Sequence, residues 1–349
     1  MKKRNVAILF GGCSEEYAIS LHSAAGVIRA LDPQRNTLIP IGISRQGDWF
    51  LTTADPQRIE TDHWHSKQDR RLQLVLSRSG FQLKDQQGNP IEVDVFFPVL
   101  HGRNGEDGTL QGMMDLFAIP YVGCGMSASL IAMDKVLSHQ LASAAGIAVS
   151  QMVVVDRNDP DRSMKEIRQL QLPCFVKPAR GGSSIGITRI ESWDKLEQAL
   201  QLALSLDERA LVEEAVPGQE IGCSIVEKNG QLILGAVDRI RLNSDFFDYQ
   251  EKYVDSHAQV ECPAILPPAL IDQIHDTART LWAVHQCRSL ARIDLFLTPD
   301  NKIVFNEINT LPGLTATSRF PRMMERAGMD FSCLLQTLID QAAKGEHHE

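Results

Sequence analysis

The sequence lacks the marks of several large classes of protein. No apolar run approaches the roughly 20 residues that a transmembrane helix needs. Val6–Phe10 follows a basic Met1-Lys-Lys-Arg4 start, but Gly11-Gly12 and Glu15-Glu16 end it at once. A secretory leader needs a longer apolar stretch and a small-residue cleavage site, so a first strand is expected instead. The seven cysteines stand singly, without a Cys-x-x-Cys pair. An odd count without paired spacing argues against a disulfide framework and for free thiols in a reducing cytoplasm. Positive charge is also scarce: 35 Lys and Arg against 44 Asp and Glu leave a net charge of −9. That excludes a broad nucleic-acid surface. It leaves room for a small anionic substrate held by a few basic residues. Gly-x-Gly-x-x-Gly is absent, so a dinucleotide site has no support, and no internal repeat is visible.

What is present is ordinary globular material, 43% hydrophobic and 23% charged over 349 residues. That length predicts two or three domains, because single cores rarely grow beyond roughly 250–300 residues. Strand-like runs at Val6–Phe10, Leu38–Ile43 and Val93–Leu100 alternate with helical patterns at 15–30 and 109–117. Ser14 is the expected cap of the first helix. This alternation predicts an α/β fold with an open, mostly parallel sheet up to about residue 125. A helix over 133–145 ends at Gly146. Short strands at 153–155, 174–177, 187–190 and 210–216 then make an α+β middle region. The last third holds more strands, a helix from Pro268 to Cys287, and a hairpin.

That hairpin is Leu290–Leu297 and Ile303–Ile308 around Thr298-Pro-Asp-Asn-Lys302. A tight turn at Asp300-Asn301 places Asp294 opposite Glu307 and Arg292 opposite Asn309. Side chains two apart share a strand face, so the four polar groups cluster. Opposed carboxylates repel unless a cation lies between them, and oxygen ligands of this kind suit Mg²⁺. Taken alone, a solvent-facing hairpin with ordinary charges reads as well. Against it stands the continuation Asn309-Thr-Leu-Pro-Gly313, whose Pro-Gly end lets backbone N–H groups face a ligand.

Three further loops are dense in chemistry. Lys177-Pro-Ala-Arg-Gly-Gly-Ser-Ser-Ile-Gly186 lies between two strand-like runs and lacks the P-loop order. Its amides and hydroxyls can cover a triphosphate with Lys177 reaching in, though plain surface turns share this composition. Gly11–Glu16 offers a helix N-terminus to an anion, but Glu15 and Glu16 there also read as simple helix-dipole residues. His101-Gly-Arg-Asn-Gly-Glu-Asp-Gly-Thr-Leu-Gln-Gly112 follows the buried strand 93–100, where open α/β sheets usually bind ligands.

At these residues the chain resembles the D-alanine–D-alanine ligase family of the ATP-grasp superfamily. The carriers are His101–Gly112, Arg292-Ile-Asp-Leu-Phe296 with Asn306–Gly313, Lys177–Gly186, and Phe247-Asp-Tyr-Gln-Glu-Lys-Tyr253, in the family's order and across essentially the whole chain. The resemblance implies a three-domain ATP-grasp architecture. An N-terminal domain spans 1–130, a central lid domain 131–220, and a C-terminal domain with the metal and second-substrate sites 221–349. It implies ATP, two Mg²⁺ ions that Mn²⁺ can replace, a cytoplasmic homodimer, D-alanine and a second D-amino acid. The reaction would pass through an acyl phosphate that the second amine attacks, for peptidoglycan synthesis. Such chemistry needs charge neutralisation and alignment.

Carried over by position, the resemblance makes Asp294, Glu307 and Asn309 the metal ligands. Lys135, Lys177 and Lys252 meet phosphate, Glu213 the adenine amino group and Glu220 the ribose. Arg292 and the Gly313 amide stabilise the tetrahedral oxyanion. Glu16 holds the ammonium of the first D-alanine, in a trio with Ser183 and Tyr253, and His101 lies in the substrate loop. Ser318 binds the second substrate, and the segment 243–253 becomes a lid that excludes water. Three positions depart from the common pattern. Ala18 and Gly181 stand where many members are acidic, and Arg319 stands where ordinary members have Leu or Met. Arg319 is more like ligases of the vancomycin-resistance type, which add D-serine or D-lactate. Tyr253 is the usual residue of D-alanine-adding members. D-alanine is therefore the first expectation for the second substrate, with D-serine or D-lactate as the alternative. Remoter alternatives are another ATP-grasp carboxylate–amine ligase and a non-catalytic ATP-binding regulator.

Overall fold

The computed structural model describes residues 3–66, 69–77, 80–241 and 259–344, organised by three sheets. The chain opens with β1 (Arg4–Gly11) and α1 (Tyr17–Ala30). Val6, Ile8 and Phe10 join one core and Ala7 and Leu9 another, so β1 is buried on both faces. That is why it reads as a continuous apolar run. Ser14 does not cap α1. Its hydroxyl donates to the His101 carbonyl at 2.7 Å, and Glu16 takes the N-cap position without a side-chain cap bond.

β2 (Asn36–Ile43), β3 (Trp49–Leu51), α2 (Pro56–Glu60), β4 (Arg70–Ser77), β5 (Gly80–Asp85), β6 (Pro90–Ile91), β7 (Val95–Pro98) and α3 (Thr109–Leu116) follow. The strand order is β6-β5-β4-β3-β2-β1-β7. The parallel part expected here is β2-β1-β7. Four antiparallel joints extend it from β2 to β6; between β2 and β3, β4 and β5, and β5 and β6 the returns are too short for a parallel crossover.

Next come α4 (Met126–Met133), α5 (Lys135–Ala144) and β8 (Ala148–Val149). Asp134 caps α5 by accepting from the Val136 and Leu137 amides. The middle sheet comprises β9 (Met152–Asp156), β10 (Cys174–Pro178), β11 (Thr188–Ile190) and β12 (Arg209–Glu214), with α6 (Met164–Ile167) and α7 (Leu196–Leu206). Its order is β11-β10-β12-β9, all antiparallel. Leu196, Ala199, Leu200 and Ala203 of α7 bury against Val176, Ala210 and Val212. The period-3.6 face of the helix meets the period-2 face of the sheet.

The third sheet holds β13 (Gln219–Lys228), β14 (Gln231–Leu234), β15 (Asp238–Arg241), β16 (Gln259–Glu261), β17 (Leu290–Leu297) and β18 (Ile303–Asn309), and α8 (Pro268–Val284) packs on it. The order is β16-β15-β13-β17-β18-β8, with β14 on β13. The segment from α4 to β8 sits here, since Ala128, Ala132 and Ala142 join this core. α9 (Arg319–Arg326) and α10 (Phe331–Ala342) then return to the first sheet. Leu334, Leu335 and Leu338 share a core with Val6 and Phe10. No helix among the described residues is long and apolar enough to cross a membrane.

The β17–β18 hairpin pairs Asp294 with Glu307 and Arg292 with Asn309, as the sequence predicts, but by another route. The turn has three residues, not two: Leu297 pairs with Ile303, the Thr298 amide donates to the Lys302 carbonyl at 3.0 Å, and Asn301 adopts φ 62°. That shorter register would set Asp294 against Asn306. A β-bulge between Asp294 and Leu295 absorbs the extra residue and restores the Asp294–Glu307 pair.

Candidate active site

Glu16 lies at the N-cap of α1, in the loop that follows β1, and is buried. Its carboxylate accepts a short hydrogen bond from the Ser183 hydroxyl. Two glycines make room for it. A Cβ on Gly102, which has φ 69°, would stand 2.5 Å from Glu16 Oε2, and one on Gly182 would stand 3.1 Å away. Behind it lies His101, buried, with Nε2 3.2 Å from the Ser23 hydroxyl and Nδ1 3.9 Å from Glu106 Oε1. Burial works against a charge on His101. The hydrogen bond and charge of Glu106, helped by Glu16, outweigh it and raise its pKa.

The Gly-rich loop after β10 covers a cleft lined by Lys135, Lys177, Ser183, Ser184 and Glu307, among others. Lys135 opens α5, and its ammonium donates to the Gly181 carbonyl at 2.6 Å. Burial pushes its pKa down, reinforced by Lys177 and opposed by Glu307 and Glu213. Lys177 and Glu213 lie on adjacent strands of one sheet face, as the β10–β12 register requires. They form a short buried ion pair, and Glu213 also accepts from Ser150. Burial raises the Glu213 pKa, but Lys177, His139 and these bonds overcome it and hold the carboxyl below the ordinary value.

On the third sheet, Asp294 is buried. It accepts a fork from Arg292 (Nε to Oδ1 2.9 Å, Nη2 to Oδ2 2.7 Å) and a bond from Asn309 Nδ2 at 2.9 Å. The same Asn309 nitrogen lies 3.5 Å from Glu307 Oε1. An amide thus spans the opposed carboxylates for which the sequence suggested a cation. With the Asn309 amide turned to present its oxygen, two carboxylates and a carboxamide make an all-oxygen donor set suited to a hard divalent ion. Among the described residues no group of three His, Cys, Asp or Glu forms a metal site, so Asn309 and oxygens from outside the chain have to complete one. Burial opposes the Arg292 charge, but Asp294 and Glu307 keep it strongly protonated.

Arg319 is engaged as a hub. Its guanidinium forks Asp238 (Nε to Oδ2 2.8 Å, Nη2 to Oδ1 2.7 Å), donates to Glu220 Oε1 at 2.7 Å and approaches Asp294 Oδ1 at 3.6 Å. It lies over Gly222, which pairs with Asp238 on one side and Asp294 on the other. Beside it, Ser318 takes the N-cap position of α9 without a side-chain cap bond. Its hydroxyl accepts from the Thr315 amide at 3.2 Å, and a Cβ on Gly313 would lie 3.1 Å from it.

The fold therefore joins Glu16 to Ser183 and gathers Lys135, Lys177 and Glu307 around one cleft. Arg292, Asp294 and Asn309 adjoin Glu307 on the hairpin, while Glu220 and Arg319 lie across the sheet from them. Lys252, Tyr253 and the rest of the expected lid fall outside the described residues. The sequence reading missed Asp238, Gly222, Ser150 and His139. Gly222 carried a signal, since a lone glycine inside a strand marks a close approach. The other three sat in unremarkable patterns.

Family models for the D-ala D-ala ligase N-terminus and C-terminus match residues 5–124 and 141–340. A D-alanine--D-alanine ligase of Mycolicibacterium vanbaalenii is 40% identical, over 97% of this chain and 96% of that one. The vancomycin C-type resistance protein VanC1 of Enterococcus gallinarum is 42% identical, over 97% of this chain and 98% of the other. Among solved structures, the VanG D-Ala:D-Ser ligase of Enterococcus faecalis superposes with a TM-score of 0.89 at 41% identity, covering 98% of this chain and 100% of that one.

Proposed function

The chain belongs to the D-alanine–D-alanine ligase family, and from that premise we propose how its residues join two D-alanines at the expense of ATP, for peptidoglycan synthesis in the cytoplasm. The observation that carries the reading is the position of Ser183. Its hydroxyl bonds Glu16, and it lines the same cleft as Lys135, Lys177 and Glu307. An amino acid held at Glu16 therefore lies beside a place for phosphate.

In this reading Glu16 takes the ammonium of the first D-alanine, while Lys135 and Lys177 neutralise the triphosphate as its γ-phosphoryl passes to the substrate carboxylate. Asp294, Glu307 and Asn309 would hold Mg²⁺, which would neutralise charge at the phosphates. The second amine attacks the acyl phosphate, and phosphate leaves. Arg292 and the Gly313 amide face the oxyanion of that tetrahedral state, where preorganised donors act without reorganisation. Ser318 receives the carboxylate of the second substrate. Glu213 and Glu220 are assigned to adenine and ribose. In this structure they hold Lys177 and Arg319, so nucleotide binding has to rearrange those pairs. Lys252 and Tyr253 are assigned to the lid over residues 131–220 and 221–349, with 1–130 holding the first substrate in each protomer of a homodimer.

The test is turnover of the purified chain with ATP, Mg²⁺ and D-alanine. D-alanyl-D-alanine, ADP and phosphate in equal amounts are expected, and none with L-alanine. Failure to release phosphate with D-alanine overturns the reading. A second reading, D-serine as acceptor, is favoured by the likeness to the VanG D-Ala:D-Ser ligase. With both acceptors present, Arg319→Leu should shift the product ratio toward D-alanyl-D-alanine. An unchanged ratio removes Arg319 from the choice of acceptor, and a wild type that makes no D-alanyl-D-serine removes this reading.

A further inference from the structure

The β-bulge of the metal hairpin has a dedicated partner. Without the extra residue, the register set at the turn would continue, placing Asn306 opposite Asp294 and Glu307 opposite Ile293. A one-residue slip turns every side chain to the other face. Glu307 would then point with Ile293 into the apolar core of the third sheet, and Ile308 would take its place on the polar face. The bulge alone puts Glu307 across from Asp294. Bulges leave one residue outside the ladder, and here His139 meets it. The Nε2 of His139 lies 3.0 Å from the Asn306 carbonyl oxygen. A carbonyl only accepts, so Nε2 carries the proton and donates.

His139 is itself fixed. It is buried, its ring meets that of Phe305 edge-on at 5.3 Å, and its Nδ1 has no hydrogen-bond partner among the described residues. On the next residue back, the Ser138 hydroxyl lies 2.9 Å from His285 Nε2. His139 stands four residues after Lys135 on α5, hence on the same helix face. One helix therefore presents a lysine to the cleft and a donor to the bulge beneath Glu307.

We propose that His139 is a positioning residue: through the Asn306 carbonyl it holds the bulge that turns Glu307 toward Asp294, and so sets the divalent-metal affinity of the site. This rests on the assignment of Asp294, Glu307 and Asn309 as metal ligands. Glutamine can keep the donor from a similar reach, whereas leucine fills the space without one.

The experiment compares wild type, His139→Leu and His139→Gln. Its readouts are Mn²⁺ binding in the presence of ADP, followed by loss of the free-Mn²⁺ resonance signal, and the Mg²⁺ dependence of ADP release. Thermal melts and the KM for D-alanine accompany them. We expect His139→Leu to weaken Mn²⁺ binding about tenfold with the D-alanine KM changed less than twofold, and His139→Gln to recover most of the loss. Equal Mn²⁺ binding in all three overturns the proposal, as does a glutamine variant as weak as leucine with an unchanged melt. If His139→Leu does not fold, the glutamine variant decides: near-native metal binding supports the donor role, and a tenfold loss refutes it. A wild type that binds no Mn²⁺ and turns over without Mg²⁺ refutes the metal assignment instead.

Discussion

Replacing Gly222 by alanine places a Cβ 2.5 Å from Arg319 Nη2, 2.6 Å from Asp238 Oδ1 and 3.3 Å from Asp294 Oδ1. The backbone is not the obstacle, because Gly222 does not have a positive φ. The movable party is the tip of Arg319, and its withdrawal strips a partner from Asp238 and Asp294, which are 0% and 1% exposed. Breaking a buried charge pair by removing one partner costs about 3–5 kcal/mol. Alanine returns about 0.4–1 kcal/mol by restricting the unfolded chain, so a net loss of about 2–4 kcal/mol is expected. At roughly 2–4 °C per kcal/mol, the melting temperature should fall on the order of 10 °C. The decisive assay is a double-mutant cycle with Arg319→Leu, read by urea unfolding. Once the guanidinium is gone, Gly222→Ala should add little, leaving a coupling of about 2 kcal/mol or more. Additive losses, within about 0.5 kcal/mol, would show that Gly222 does not serve Arg319.

Three further outcomes test other parts of the site. Glu307→Gln should abolish Mg²⁺-dependent turnover with an unchanged circular-dichroism spectrum, and normal turnover would remove Glu307 from the metal site. Ser183→Ala loses a hydrogen bond to a carboxylate, a class of bond worth about 1.5–3 kcal/mol. kcat/KM for D-alanine should fall roughly 10- to 100-fold, with the ATP KM little changed, and an equal rise in both KM values would refute the Glu16 link. Glu213 has a folded pKa held below its ordinary 4.5. Its stabilising contribution is therefore full above that value and lost as pH falls through the lower folded one. The stability gap between wild type and Glu213→Gln should close below about pH 4.5, and a gap constant to pH 3 would contradict it.

Where local chemistry decides structure, the sequence is a good guide. β1 and β7 read correctly because strands buried on both faces leave no polar alternation. α5 ends at Gly146 because that residue supplies a φ of 79°. Ser14 stands two residues too early to be the N-cap: its hydroxyl accepts from the Glu16 amide and donates to a carbonyl 87 residues away, while Glu16 takes the cap position. Arg319 looked like a side chain facing a substrate, since nothing near it in sequence reveals Asp238 or Glu220. Its partners come from two strands of a sheet, and only the fold brings them under it.

The hairpin shows why the site was more legible than the path to it. The Asp294–Glu307 pair followed from assuming a two-residue turn, and the real turn has three. The two registers differ by one residue, enough to reverse a face, and the bulge at Asn306 reverses it back. The spacing of Arg292, Asp294, Glu307 and Asn309 reflects which groups must meet, and the backbone satisfies that spacing by whichever turn and bulge suit the local residues. A constraint of that kind fixes the endpoint and leaves the route free. The route then needs its own support, and here a donor from α5 reaches the Asn306 carbonyl. The residues that support the route, His139 beneath the bulge and Gly222 beneath Arg319, make no contact that their own sequence neighbourhood announces, so the structure is where their roles become readable.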